Sequence, residues 1–322
     1  MRKKSQLFII SLFVIFMYSC EYSYIQLPLE NETPPIIVPD VITSQQCPND
    51  PNLTGNICDD TLKNSSLVEL INLITIPDSL PSSVDLSTNI PPVRSQGYQS
   101  SCVSWATTYY LKSYQEKIQH NYHYSSYKDV MSPSFVYNQT KEDSNCFSGS
   151  SIQNALEFLK TQGTVSWEEF PYSDISCSSL PTNKQLTLAK KNKIKEYYYV
   201  NVPDTITKKN YTLINLVKTL LYQKQPIVIS MDFKNLDFEN QNGQYITNTY
   251  SKYPIEGLCG HAILIVGYDD KMNAFNIVNS WGTNWGNQGY CWVNYNFFLK
   301  KENKDYQKGL TSAYVAYDED DT

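Results

Sequence analysis

The sequence indicates a mixed α+β protein with a helical first half and a β-rich second half. Apolar residues recur at helical spacing in two stretches of the first half, 103–118 and 152–159, and the second stretch stops at Gly163. After position 194 the apolar runs shorten and become rich in Val, Ile and Tyr, which is typical of strands. A helical pattern at 213–222 interrupts these runs before Pro226. Segregation of helices from strands favours an α+β fold over an alternating α/β fold.

The first twenty residues resemble an export signal. Basic residues at positions 2–4 precede an apolar stretch of twelve residues at 7–18. That length suits a signal peptide, whereas a transmembrane helix needs about 20 apolar residues. Cys20 follows a small residue at the end of the stretch, as in the lipidation site of bacterial lipoproteins. We expect a cell-envelope or surface lipoprotein that touches the membrane only through this anchor, with secretion after ordinary signal cleavage as the alternative.

Residues 21–79 are expected to form a tether. The tether ends in a short segment for which two interpretations are open. Six prolines lie between positions 21 and 51 among polar residues, without a helical or strand period. Leu67, Leu70, Ile71 and Ile74 form a brief helical pattern that fits either a small prosegment or a packing element. The folded domain is expected to span residues 80–322.

Composition argues against several classes of partner. The chain has 26 Lys and Arg against 32 Asp and Glu, and its basic residues form no run beyond the first four positions, so nucleic acid is not expected to bind. With three histidines and no CxxC spacing, neither a metal site nor another cofactor is expected. The acidic stretch 318–321 is expected to be a solvated tail.

A predicted hairpin brings a histidine towards an asparagine. Apolar runs at 263–266 and 275–278 flank a polar stretch suited to a turn. If the turn is centred on Asp270, His261 lies directly opposite Asn279. A side-chain amide there can accept a hydrogen bond from one ring nitrogen and so fix the tautomer of the imidazole. For His261 taken alone, a buried structural histidine is the alternative interpretation.

Cys102 falls in the first turn of the helix predicted over 103–118. The unpaired N–H groups and the dipole at a helix N-terminus favour a thiolate, so we expect a lowered thiol pKa, more so with His261 alongside. A plain buried cysteine is the alternative.

Three blocks of sequence together resemble the papain family of cysteine peptidases. They are PVRSQG at 92–97 followed by Cys102, GHA at 260–262 followed by GY at 267–268, and NSWGTNWG at 279–286 followed by GY at 289–290. The blocks follow one another in family order within residues 80–293. The resemblance implies a papain-like two-lobe fold, with a helical lobe over about 95–190 and an antiparallel, barrel-like β-rich lobe over about 191–315 plus 80–94. The active-site cleft would lie between the lobes.

The resemblance also implies roles for four residues. Cys102 would attack the peptide carbonyl as a thiolate, and His261 would serve first as its base and then as the acid for the leaving amine. Asn279 would orient His261. The side chain of Gln96 and the backbone N–H of Cys102 would hold the developing oxyanion.

Two further positions are implied near the substrate. Trp281 would shield the bond between His261 and Asn279 from water, with a core aromatic as the alternative. Gly149 would let the backbone pair with an extended peptide, with a turn glycine as the alternative. The implied activity is cofactor-free hydrolysis of peptide bonds in proteins or peptides by a monomer, with endopeptidase action favoured. Two alternatives are an inactive peptide-binding module at the cell surface and a transpeptidase that passes the same thioester to an amine.

Some residues depart from the family pattern. Val103 stands where the family usually has tryptophan, which is delayed here to Trp105, and Gln99 stands where a disulfide-bonded cysteine is common. No long prosegment with the usual charged helix precedes residue 80.

Export places the cysteines in an oxidising compartment, where disulfides persist. Setting aside Cys20 as anchor and Cys102 as nucleophile leaves six of the eight cysteines. The expected pairs are Cys47 with Cys58, Cys146 with Cys177, and Cys259 with Cys291.

Overall fold

The computed structural model describes residue 56 and residues 65–75, 77–200, 212–231, 236–241, 244–250, 260–298 and 310–319. All of these belong to one compact unit. The regular elements between 77 and 190 are mainly helices and those from 194 are mainly strands, which confirms the α+β fold. The predicted signal at 1–20, most of the tether, and Cys20, Cys47, Cys58 and Cys259 lie outside the described residues.

The helices of the described residues are α1 (Ser65–Leu73), α2 (Cys102–Ser104), α3 (Ser113–His120), α4 (Pro133–Thr140), α5 (Ile152–Thr161), α6 (Asn183–Ala189) and α7 (Leu213–Tyr222). A π-helical segment, Trp105–Lys112, joins α2 to α3 into one continuous helical run. The patterns over 103–118, 152–159 and 213–222 thus predicted their helices correctly. The apolar periodicity missed α4 and α6, although both carry N-terminal signals: Ser132 caps α4 ahead of a proline, and Thr182 forms a capping box with Gln185.

The strands are β1 (Ser83–Asp85), β2 (Ile194–Tyr199), β3 (Ile227–Met231), β4 (Leu236–Gln241), β5 (Gln244–Tyr250), β6 (His261–Asp269), β7 (Ala274–Val278), β8 (Tyr290–Asn294) and β9 (Leu310–Asp318). They form one sheet in the order β2-β9-β3-β6-β7-β8-β5-β4. The remaining strand, β1, pairs with β6 as well. Apart from the parallel pair of β5 and β8, every pairing is antiparallel.

The centre of the sheet is covered on both faces. β3 and β7 are buried at every residue, and β6 at every residue but its last. The π-helical segment and α7 both pack against β6 and β3. Strands buried on both faces read as continuous apolar runs rather than as alternating ones, which explains the Val- and Ile-rich runs of the sequence. The helical run that begins at Cys102 is thereby set beside the strand that begins at His261.

The hairpin of β6 and β7 has a different register from the predicted one. Leu264 pairs with Val278, so the residue opposite His261 would be Trp281 and not Asn279. The turn occupies residues 270–273 and ends at Asn273, whose φ is +54°. Its centre therefore lies beyond Asp270, which displaces the register by three residues, and a bulge between Ile265 and Gly267 reverses one of the three. The net displacement at the site is two residues, which keeps His261 and Asn279 on one face of the sheet because side chains alternate with a period of two.

The segments that precede the helical lobe pack against strands. β1 adds to the sheet by pairing with β6, and α1 packs against β2 with Leu70 fully buried. Among the described residues no helix is long and apolar enough to cross a membrane.

Candidate active site

His261 and Asn279 share a short hydrogen bond at the end of the β6–β7 hairpin. His261 Nε2 lies 2.6 Å from Asn279 Oδ1. The backbone N–H of Ser280 donates to the same oxygen at 2.7 Å, which identifies it as the amide oxygen. A carbonyl oxygen can only accept, so Nε2 carries the proton. In the neutral ring the lone pair is then on Nδ1.

Burial controls the charge of this imidazole. His261 is fully buried, and desolvation lowers its pKa to about 4, while the hydrogen bond to Asn279 opposes the shift. A histidine with so low a pKa is neutral at pH 7 unless an anion lies beside it. The neutral ring is the form that can take a proton from a thiol.

Cys102 begins α2, and that helix packs against β6, the strand that starts with His261. The thiol is fully buried at the N-terminus of the helical run. The structure therefore brings together the two elements that carry the candidate nucleophile and the candidate base, although about 160 residues separate them in the chain.

Gln96 connects the segment before α2 to the segment after Asn279. Its backbone N–H donates to the carbonyl oxygen of Ser280 at 2.8 Å, and its Oε1 accepts from Ser280 Oγ at 2.6 Å. Its Nε2 donates to the carbonyl oxygen of Gln99 at 2.8 Å, which uses one of the two amide hydrogens. The Gln96 side chain is thus held from both ends, six residues before Cys102 in the chain.

Tyr172 supports this arrangement and was not predicted from the sequence. Its hydroxyl donates to the carbonyl oxygen of Gln96 at 2.8 Å and lies 2.8 Å from Ser101 Oγ. Because the tyrosine hydrogen is directed to Gln96, Ser101 is the donor in the second bond. Trp105 packs edge-on against the Tyr172 ring, with ring centroids 4.9 Å apart. No local motif marks Tyr172, since its partners lie about 70 residues away in the sequence.

Trp281 lies over the imidazole. Its ring is stacked on that of His261 with centroids 4.5 Å apart and planes 29° apart, and Trp285 contacts it edge-on. Trp281 is partly exposed while His261 is fully buried, so the indole separates the ring from solvent. From the helical side, the Tyr110 hydroxyl donates to the carbonyl oxygen of Asn279 at 2.8 Å.

Gly149, the predicted substrate-pairing glycine, lies in the loop between α4 and α5. The carbonyl oxygen of Gly149 accepts from the backbone N–H of Glu142 at 3.0 Å within a turn. The next residue, Ser150, forms a parallel bridge with Asn56. Asn56 also donates from its backbone N–H to Gly260, the residue before His261, at 3.3 Å. A residue from the N-terminal region thus contacts both the helical lobe and the His261 strand.

A disulfide joins Cys146 to Cys177, as expected from the sequence. It anchors the loop whose Cys146 carbonyl oxygen accepts from the backbone N–H of Ser100, two residues before the candidate nucleophile. Gln99, which stands where the family commonly has a cysteine, instead donates through its side chain to the carbonyl oxygen of Ser173 at 3.0 Å. Cys291 is buried in β8, and burial raises the pKa of its thiol. Its predicted partner lies outside the described residues.

Comparison with known proteins settles the family. Residues 80–307 match the profile of the family described as papain family cysteine protease, and this span is more than two thirds of the chain. The chain belongs to the papain family of cysteine proteases. Its two-lobe fold follows, and xylellain, a cysteine protease from Xylella fastidiosa, has a similar structure. The TM-score is 0.57 at 24% identity, over 82% of this chain and 96% of that one.

The relatives of this chain include proteins from organisms as different as Fasciola hepatica and Zingiber officinale. The chain is 26% identical to a cathepsin L-like proteinase of Fasciola hepatica over 203 residues, which are 62% of this chain and 56% of that protein. It is 26% identical to zingipain-2 of Zingiber officinale over 242 residues, which are 73% of this chain and 95% of that one. The chain spans little more than half of the Fasciola protein.

Proposed function

We propose that the protein hydrolyses peptide bonds as a thiol endopeptidase, with Cys102 as nucleophile and His261 as its base. The observation that supports this most is the 2.6 Å bond between His261 Nε2 and Asn279 Oδ1. This bond leaves the basic lone pair of the neutral imidazole on Nδ1. The imidazole belongs to β6, and the helix that begins at Cys102 packs against that strand. The substrates are proteins or peptides, as the family implies, and the enzyme needs no cofactor.

The chemistry follows from the positions of these groups. His261 Nδ1 accepts the thiol proton, and the thiolate of Cys102 attacks the peptide carbonyl. Gln96 and the backbone N–H of Cys102 donate to the resulting oxyanion. His261 then gives its proton to the leaving amine, which frees the first product and leaves a thioester. Water, deprotonated by His261, hydrolyses the thioester and restores the thiol.

An alkylation experiment tests this assignment with a built-in control. Iodoacetamide or a peptidyl epoxide should label Cys102 in the folded wild-type protein, and Cys102→Ala should abolish cleavage of a denatured protein. Cys291 should stay unlabelled because its raised pKa keeps the thiol protonated, and Cys291→Ala should keep its activity. Full turnover by Cys102→Ala would refute the proposal.

We also propose that the protein works outside the cytoplasm, tethered through Cys20. The Cys146–Cys177 disulfide supports an oxidising compartment, and the predicted signal supplies the route. Wild type should fractionate with membranes and Cys20→Ser with the soluble fraction. Equal distribution of the two would exclude the anchor.

A further inference from the structure

The carbonyl oxygen of Gln99 fixes the side-chain amide of Gln96. Gln96 Nε2 donates one hydrogen to this oxygen at 2.8 Å, and the backbone N–H of Ser101 donates to the same oxygen, also at 2.8 Å. The amide group is planar, so the direction of its first hydrogen sets the direction of its second. In the proposed mechanism the second hydrogen is donated to the oxyanion. The position of the Gln99 carbonyl therefore decides where the oxyanion donor points.

Hydrogen bonds from the Gln99 side chain tie this carbonyl to a neighbouring loop. Nε2 of Gln99 donates to the carbonyl oxygen of Ser173 at 3.0 Å and, more weakly, to that of Ser176 at 3.5 Å. The loop is itself anchored, because Cys177 follows Ser176 and is disulfide-bonded to Cys146. The family commonly has a disulfide-bonded cysteine in place of Gln99, so in this chain hydrogen bonds stand where a covalent link is common.

Stability alone does not explain a glutamine at position 99. Its side chain is fully buried, and within the part of the chain that the structure describes its Oε1 accepts no hydrogen bond. A buried acceptor without a partner is destabilising, and most buried polar groups are paired. Residues that break such a rule are expected at functional sites, where the cost is offset by what the residue does.

We infer that Gln99 is a positioning residue for the oxyanion donor, because its side chain holds its own carbonyl oxygen, and through it the Gln96 amide, in the orientation that the reaction needs. The inference rests on the proposed peptidase function and adds a residue that takes no part in the chemical steps. Without the side-chain bonds the carbonyl can shift, and the Gln96 amide turns with it. The oxyanion forms only during the reaction, so the loss falls on kcat and not on KM.

The test combines substitutions of Gln99 and Gln96 in the full-length protein, with kcat and KM measured on a fluorogenic peptide. Gln99→Met keeps the length of the side chain and removes its donor. We expect kcat to fall about tenfold, with KM changed by less than about twofold. Gln96→Ala should lower kcat about a hundredfold. Adding Gln99→Met to Gln96→Ala should lower kcat by no more than about twofold further, because the amide to be oriented is gone.

Two controls separate positioning from damage to the fold. Gln115→Met makes the same change at another buried glutamine, whose Nε2 donates to the carbonyl oxygen of Ala316 at 2.8 Å, and should leave kcat unchanged. Alkylation of Cys102 by iodoacetamide displaces iodide and forms no oxyanion, so its rate should be the same in wild type and in Gln99→Met. Gln99→Asn keeps an amide on a shorter side chain and is the second variant if Gln99→Met does not fold. It should show a loss of kcat with the same dependence on Gln96.

A loss that repeats in full in the Gln96→Ala background would overturn the inference, since Gln99 would then act on something other than that amide. An unchanged kcat in Gln99→Met would overturn it too, and so would a parallel fall in the alkylation rate, which would locate the effect at Cys102. In each of these cases wild type still cleaves peptides and the proposed function stands. A wild-type protein that cleaves no peptide, with Cys102 unlabelled, would refute the proposed function and the inference with it.

Discussion

At the scale of single residues, the site depends on hydroxyl and amide groups that fix the orientation of others. Asn279 and Gln96 each receive hydrogen bonds from Ser280, so one serine links the orienting amide to the candidate oxyanion donor. On the helical side, the Tyr172 hydroxyl makes hydrogen bonds to both Gln96 and Ser101 and so links these two residues. In the proposed mechanism the alignment of the reacting groups therefore depends on Ser280 and Tyr172, which take no part in the chemical steps.

Tyr172→Phe tests this positioning role. The change removes both bonds of the hydroxyl but keeps the ring against Trp105. We expect kcat for a peptide substrate to fall about tenfold with KM almost unchanged, because orientation of the reacting groups and not binding is lost. Tyr222→Phe, at a half-exposed ring, is the control and should behave as wild type. A lower free energy of unfolding with unaltered kcat would show that Tyr172 only stabilises the fold.

Cys102, His261, Asn279 and Gln96 could be named from the sequence because each lies in a short motif. Tyr172 and Tyr110 could not, because each contacts residues 70 or more positions away.

At the scale of elements, the hairpin of β6 and β7 carries the candidate base, His261, and leads into its partner, Asn279. Its strands were predictable from their apolar runs, but its register was not, because turn geometry and the bulge near Gly267 set the pairing. The error of two residues was harmless for the site, whereas an error of one would have separated His261 from Asn279. The helix that continues from Cys102 was predictable from its apolar spacing. That spacing gave no sign that the middle of the helix is π-helical.

Gly267 lets β1 approach β6. It pairs with Asp85, and a Cβ added at this position would lie 2.5 Å from the carbonyl oxygen of Val84. We expect Gly267→Ala to lower the free energy of unfolding by about 2 kcal/mol, because backbone atoms would have to shift. Urea unfolding followed by circular dichroism measures this. An unchanged midpoint would mean that β1 contributes little to the sheet.

At the scale of the whole molecule, a buried ion pair joins the helical run to the last strand. Lys112 is buried in the π-helical segment and pairs with Glu116 at 2.7 Å and with Asp318 at the end of β9. Burial raises the pKa of Asp318, which the positive charge of Lys112 opposes. The expectation of a solvated acidic tail is therefore wrong for Asp318, because a lysine from a distant helix neutralises it.

Lys112→Met should be strongly destabilising. It leaves the buried carboxylate of Glu116 and the partly buried carboxylate of Asp318 without their cation, and breaking a buried pair typically costs about 3–5 kcal/mol. Lys128→Met removes an exposed pair with Glu168 and should cost about 1 kcal/mol or less in the same unfolding assay. Similar effects of the two substitutions would contradict the importance of the buried pair.

The central claim is that His261 withdraws the proton of Cys102, and the pH dependence of Cys102 alkylation measures this directly. With an imidazolium beside it, the thiolate should persist far below the ordinary thiol pKa of about 8.5, so wild type should react rapidly at pH 6. In His261→Gln the rate should rise only as pH approaches about 8.5. Identical profiles for the two proteins would contradict the account.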